Sequence, residues 1–441
     1  MNLALMPMIS LVLISENRPV NVSQVYVRFV RFNRGGDYGE GMKLGSTPKK
    51  FTSDGHRSVE PAETLARIEP LMGVAGVTRV ADITDLDRVG IPVFSAIRPT
   101  AKSGAISVYN GKGLTKEEAK VSAIMEALER YSAEVRDDFI IRQGVEEFMA
   151  SHVAVHPMDL ILSQHAAFYV MRQSVAWVKG WELNGNEETW VPASAVFHPY
   201  VSKMDFPLFR TSTNGLASGN NVEEAVLHGL YEVVERNDWS FAEGRRRITG
   251  DIEVPSSGPV KELVERFTSN GIDVHLKDLT TEIGIPTIAA AVDDTVMQDP
   301  ALLNLGIGTH LDPEVAATKA LLEVAQSRLT QIHGAREDAV YAIGNRKLGY
   351  ERMKRINKMW LTPSGNKRSL DDLPRMGTDD IFDDLQIVRA KINAQGMNRT
   401  VVVDLTRKEL GIPVVRVIVP GMEVFAIDED RVGARLMGGF R

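Results

Sequence analysis

Three separate stretches of the chain spell one phrase: DITDLDRVGIPVFSAIRP (82–99), DLTTEIGIPTIAAAVDD (278–294) and DLTRKELGIPVVRVIVPG (404–421). Each reads Asp, an aliphatic residue, Thr, a short gap, Gly-Ile-Pro and an apolar run. Each also follows a helical pattern that stops at glycine: TLARIEPLMGVAG, VKELVERFTSNG and IVRAKINAQG. The pattern predicts an amphipathic helix, a glycine stop, an edge strand, a turn, and a buried strand entered through proline. Proline at the first position of a strand removes no interior ladder bond. Three copies of one helix–strand–strand unit point to sheet repeats within one α+β architecture.

The chain has 441 residues, 44% of them hydrophobic, enough for one large core or two ordinary ones. A net charge of −7 argues against a duplex nucleic acid or membrane-surface partner, either of which needs a basic face. No cysteine is present. Disulfides, thiolate zinc sites, iron–sulfur clusters and a cysteine nucleophile are therefore excluded. The opening MNLALMPMISLVLIS lacks a positive n-region, contains Pro7 and runs into Glu16 and Arg18. It reads as a strand or loose extension of a cytoplasmic protein rather than a signal peptide. Residues 1–55 are expected to be an N-terminal extension, partly flexible, and 56–441 one domain. Mobile spans are expected near 33–55 and 361–378, both rich in Gly, Pro and Lys.

Long helical segments are predicted over 115–136, 222–238 and 313–334. The first opens on Thr115 with Glu118 three residues on, a capping box, after the loop NGKG (110–113). It contains SAIMEALERYSAE (122–134); the second contains EAVLHGLYEVVERNDW (224–239). Both spell E-x-x-E-R. At 100° per residue, Glu126, Glu129 and Arg130 fall within about 80° of Ser122, while Ile124, Ala127, Leu128 and Tyr131 cover the opposite face. Likewise Glu224, His228, Glu232 and Glu235 share a face opposed by Val226, Leu230, Val233 and Val234. One such face is simply solvated. Two facing each other pool four or five carboxylates, which a dry site tolerates only with cations. Oxygen-only ligands suit Mg²⁺, which usually accompanies phosphates, and the closing arginines can fork onto those phosphates. A third helix offers Glu323, Gln326, Arg328 and Arg336. His228 is read as a hydrogen-bond partner of a carboxylate, Trp177, Trp181 and Trp190 as sheet packing, and DDIFDDL (379–385) as a solvated helix start.

These motifs resemble a known family. NGKGLTKEEAKVSAIMEALERYSAE is similar to the first signature of the YcaO superfamily, TNGLASGNNVEEAVLHGLYEVVERND to its second, and ALLEVAQSRLTQIHGARED to its third. The resemblance runs from about residue 56 to 425 and is strongest to an archaeal branch associated with methanogenesis. It implies a YcaO-like α+β fold, with acidic helices lining a site for ATP and Mg²⁺. It also implies activation of a peptide-backbone amide by phosphorylation of its oxygen. Carried over, the metal carboxylates are Glu126, Glu129, Glu224, Glu232 and Glu235. The nucleotide contacts are Arg57, Thr64, Ser122, Asn220, Arg236 and Arg328, with Arg236 and Arg328 balancing charge during transfer. Two departures stand out. Ala217 replaces a serine of some members, so a hydroxyl contact is missing or passes to Ser218. The chain also ends VGARLMGGFR, without the Pro-rich tail of azoline-forming members.

The activity expected from the resemblance is ATP-dependent thioamidation with sulfide, acting on a glycine of the methyl-coenzyme M reductase alpha subunit. Without cysteine, the chain carries no persulfide. Sulfur has to arrive as free sulfide or on a partner, for which the resemblance suggests TfuA. The alternatives are an azoline-forming cyclodehydratase, a non-catalytic ATP-binding scaffold and a dinuclear carboxylate oxidase. The last needs Glu-x-x-His pairs that neither helix has. A homodimer is the default assembly.

Overall fold

The computed structural model describes residues 42–52, 55–136, 140–202, 204–337 and 340–438. The opening hydrophobic segment lies outside these residues.

All three copies of the phrase form the predicted unit, and in each a helix precedes an antiparallel hairpin. The helices are Pro61–Ile68, Pro259–Thr268 and Ile381–Asn393. The hairpins are Arg79–Asp82 with Val93–Ile97, Ile272–Asp278 with Thr287–Asp294, and Val401–Asp404 with Val414–Ile418. The register is the same each time: Asp82 faces Phe94, Asp278 faces Ile288 and Asp404 faces Val415, always two residues past the proline.

The phrase itself explains why. Each aspartate accepts the N–H of its threonine: Thr84 to Asp82 at 3.0 Å, Thr280 to Asp278 at 2.9 Å, Thr406 to Asp404 at 2.8 Å. Each threonine hydroxyl then accepts the first N–H after the proline, from Val93, Thr287 and Val414, at 3.2, 3.2 and 3.3 Å. The turn thus satisfies backbone groups that the proline leaves without a ladder partner. The glycines sit at φ +67°, +72° and +60°, a left-handed conformation that a side chain would strain.

Each hairpin gains a third strand that leads into a long helix. Val108–Lys112 feeds Lys116–Ser132, and Leu305–Thr309 feeds Pro313–His333. The third copy is split: Leu216–Ser218 and its helix Val222–Arg245 come from mid-chain and pair with the hairpin at 401–418. Again the register repeats, Val93 opposite Lys112, Thr287 opposite Thr309 and Val414 opposite Ser218. The helix N-caps follow three residues later, at Thr115, Asp312 and Asn221. Strand and helix approach so closely that a Cβ on Gly111 would lie 2.4 Å from Ala119 O, and one on Gly308 2.3 Å from Ala316 O.

The three copies belong to three different sheets. A three-stranded sheet holds the first and a five-stranded sheet the second. A six-stranded sheet holds the third, together with the tryptophan strands Ser174–Glu182 and Glu187–Pro192. Trp177 is fully buried and stacks on Phe148, and Trp181 donates to Asn186, so these rings serve packing. The second long helix runs seven residues beyond its expected end at 238. Parts of both spans expected to be mobile are fixed. Thr47 O accepts from Ile381 N, and Lys49 pairs with Asp384 at 2.6 Å. Lys367–Arg368 adds a parallel strand, and Leu370 and Leu373 enter the core. Asp384 is fully buried by that ion pair, so the acidic run is not a merely solvated helix start.

Candidate nucleotide and metal site

The repeated register carries the three long helices around one cavity of about 1640 Å³. Counted from the N-caps Thr115, Asn221 and Asp312, equivalent positions line it in layers. Seven residues on stand Ser122, His228 and Lys319. Eleven on stand Glu126, Glu232 and Glu323, and fourteen on stand Glu129, Glu235 and Gln326. The predicted residues Arg57, Thr64, Asn220, Glu224 and Arg236 line the same cavity.

The carboxylates sit where water is scarce. Burial pushes Glu129 up to about 8; Arg130 opposes the shift, and Glu126 and Glu232 reinforce it. Burial likewise pushes Glu235 up to about 8 against the pull of Arg236, with Glu323 and Glu232 adding repulsion. Glu232 moves in the same direction, for burial first. The arginines act as their counter-ions. Arg130 reaches Glu126 at 3.2 Å and Glu129 at 4.0 Å, and Arg236 reaches Glu235 at 3.3 Å. Arg130 Nε and Nη1 are buried with no hydrogen-bond partner. The Ser218 hydroxyl, from the strand that carries Ala217, donates to Glu129 at 3.0 Å and ties the first helix to the strand that feeds the second. Among the described residues, no three Asp, Glu or His side chains are already gathered closely enough to ligate one ion.

One expected site residue lines the cavity with its oxygens already hydrogen-bonded, and another lies outside the cavity. Glu224 has both oxygens engaged: one accepts Ser58 N and Oγ at 2.5 and 2.6 Å, the other Asn220 N and Nδ2 at 2.8 and 3.1 Å. It is 2% exposed and anchors the loop bearing Asn220 and the segment bearing Arg57. Thr64 joins this anchor through Asn220 Oδ1 at 3.0 Å. Arg328 does not reach the cavity. It is fully buried on the far face of its helix, paired with Asp87 at 2.8 Å and Asp294 at 3.1 Å. A guanidinium committed to two buried carboxylates is a structural tie. Lys319 from the third helix, Arg336 from the segment just after it and Lys112 from the strand Val108–Lys112 are cations on the cavity wall. No motif marks Lys319, but the shared spacing from N-cap to cavity position singles it out, together with Glu323.

The YcaO family model, described as a cyclodehydratase that binds ATP and Mg²⁺, matches residues 110–423. The chain belongs to the YcaO family. A Methanothermobacter thermautotrophicus protein is 48% identical over 389 residues, 86% of this chain and 98% of the relative. A Rhizobium leguminosarum bv. trifolii relative, described as a protein in the tfuA 3′ region, is 35% identical over 84% of this chain and 90% of its own length. Among solved structures, a YcaO from Methanopyrus kandleri bound with AMPPCP and Mg²⁺ superposes with a TM-score of 0.74. It shares 33% identity, covering 88% of this YcaO chain and 98% of its own. A heterocyclase in complex with substrate and cofactor matches at TM-score 0.76 and 25% identity; 88% of this chain covers 55% of that one. Among the described residues, no helix is long and apolar enough to cross a membrane.

Proposed function

We propose that this YcaO protein uses ATP and Mg²⁺ to convert a peptide-backbone amide into a thioamide, with sulfide as the sulfur source. The observation that carries the proposal is the convergence of two E-x-x-E-R helices and Glu323 on one cavity in a chain with no thiol. The relative from a tfuA region supports a sulfur-carrying partner of the TfuA type. The proposed substrate is a glycine of the methyl-coenzyme M reductase alpha subunit, and the proposed assembly is a cytoplasmic homodimer.

The residues fit Mg²⁺. Glu126, Glu129, Glu232, Glu235 and Glu323 supply carboxylate oxygens only, and the raised Glu129 and Glu235 mark a pool short of positive charge. Mg²⁺ held there would neutralise the ATP phosphates and the charge that develops on transfer. Glu224 then serves as the anchor of Asn220 and Ser58 rather than as a ligand. With a cation balancing the carboxylates, Arg130 and Arg236 would be free to meet anions, and the planar guanidinium of Arg236 could fork onto phosphate. Ser122, Asn220, Thr64 and Arg57 line the nucleotide's side of the cavity. Hydrosulfide adds to the amide carbon, the resulting oxyanion takes the γ-phosphoryl of ATP, and loss of phosphate leaves C=S.

The test is purified protein with ATP, Mg²⁺, sodium sulfide and unmodified reductase alpha subunit, read by ADP release and peptide mass. The expected product has one oxygen replaced by sulfur, and saturating sulfide supports it without a carrier. Loss of one water instead indicates cyclodehydration, and nucleotide binding without turnover indicates a scaffold. Either result overturns thioamidation.

A further inference from the structure

Building on that reading, we propose that His198 is the catalytic proton acceptor, taking the S–H proton of the phosphorylated adduct as C=S forms. The cavity has a second end, away from Asn220 and Arg57. It is walled by His198 and Tyr200 and by the segment from Phe209 to Thr213. Among the described residues, His198 is the neutral nitrogen base of that end. Three elements hold and surround it. The His198 N–H donates to Ala133 O, at the C-terminus of the first motif helix, at 3.0 Å. Its Nδ1 lies 3.3 Å from Thr211 Oγ1. The charged groups facing it are Arg130 from the motif helix, Arg416 from the strand Val414–Ile418 and Arg210 from the neighbouring loop. Arg416 is itself fixed by donating to Ala195 O and Ser212 O at 2.8 and 2.6 Å. Burial, reinforced by these guanidiniums, pulls His198 down to about 4, so the ring carries a free lone pair at neutral pH.

The chemistry needs such a group at this end. Hydrosulfide adds to carbon, forming C–S and sending the carbonyl pair to oxygen. Oxygen then bonds the γ-phosphorus as the bond to ADP breaks. In the last step the S–H proton passes to the imidazole, the S–H pair becomes the C=S π bond, and the C–O pair leaves with phosphate. The proton becomes strongly acidic as C–O breaks, so a weakly basic imidazole suffices. Of these guanidiniums, Arg130 and Arg210 line the cavity and offer the incoming hydrosulfide anion a cationic approach.

The experiment compares wild type with His198→Gln in the assay above, measuring product and ADP per product, with the ATP–Mg²⁺ thermal shift as a folding control. The expected result is an unchanged shift, product formation slower by about 10²–10⁴-fold, and more than one ADP per product. The uncoupling arises because an adduct that keeps its proton expels sulfide and is hydrolysed back to the amide. Product at the wild-type rate, with one ADP each, overturns the proposal. Should His198→Gln lose the thermal shift, Thr211→Val, which removes the ring's Nδ1 partner and the acceptor of the Tyr200 N–H, is scored the same way: raised ADP per product supports the role and unchanged coupling overturns it. A wild-type product lighter by one water overturns both readings, because the phosphorylated adduct of that route carries no S–H proton and loses its N–H as C=N forms. Wild type that hydrolyses ATP and changes no peptide overturns both.

Discussion

Replacing Glu129 by glutamine should stabilise the protein at neutral pH when Mg²⁺ is chelated. Glu129 titrates near 8 in the folded chain against an ordinary 4.5, burial being the main cause. Its contribution to stability is complete below about 4.5 and is lost as pH rises toward 8, because the unfolded chain gives up the proton first. Between 4.5 and 7 lie roughly 2.5 pH units at about 1.4 kcal/mol each, on the order of 3 kcal/mol. Glutamine mimics the protonated acid in size and can accept the same Ser218 hydrogen bond, so the variant should escape this loss. Urea unfolding at pH 4.5 and pH 7, with chelator, should give equal stabilities at the lower pH and a more stable variant at the higher. Saturating ATP–Mg²⁺ should then reverse the order, and turnover should be lost. A variant no more stable than wild type at pH 7 would mean that the carboxylate face is solvated, and the argument for a cation pool would fall.

Four further outcomes follow from the same geometry. ATP–Mg²⁺ at a hundredfold excess over Kd should add about 2.7 kcal/mol of stability, and ATP with chelator much less; equal shifts would contradict the pool. Arg236→Lys keeps the charge but loses the planar fork, so it should slow ADP release at every sulfide concentration. Arg328→Met strips Asp87 and Asp294 of a buried partner and should destabilise the fold by about 3–5 kcal/mol, measured by urea unfolding. A selective loss of ATP affinity in a stable Arg328→Met protein would instead return Arg328 to the site. Glu224→Gln should weaken ATP binding by loosening Asn220 and Ser58, while leaving the number of bound Mg²⁺ ions unchanged by titration calorimetry.

Much of this was legible along the chain, because the informative signals are local. D-x-T and G-I-P encode an Asx turn, a hydroxyl cap and a left-handed glycine, all closed within a few residues. The capping box at Thr115 and the spacing of the E-x-x-E-R motifs are also local. The contacts that the local pattern does not show are long-range. Arg328 has the spacing of a site residue, but its partners Asp87 and Asp294 stand 241 and 34 residues away. Glu224 resembles the other helix carboxylates, and only the fold brings Ser58 to it across 166 residues. That the repeats divide among three sheets depends on which strand each hairpin recruits, and the local pattern is the same in every case. His198 sits in an irregular segment with no periodicity to mark it.

The split third copy has a consequence for synthesis. The helix Val222–Arg245 packs Val226, Leu230 and Val233 against Val402, Val415 and Val417, which leave the ribosome almost two hundred residues later. Until then its apolar face has no sheet beneath it, and Glu232 and Glu235 have no fixed direction. The first copy can close early, because its strands and helix are contiguous. The second E-x-x-E-R helix waits for the last hairpin. A nascent or prematurely terminated chain therefore holds one half of the carboxylate pool and cannot assemble the other. Synthesis of the hairpin at 401–418 is therefore the step that gives the second motif helix its sheet.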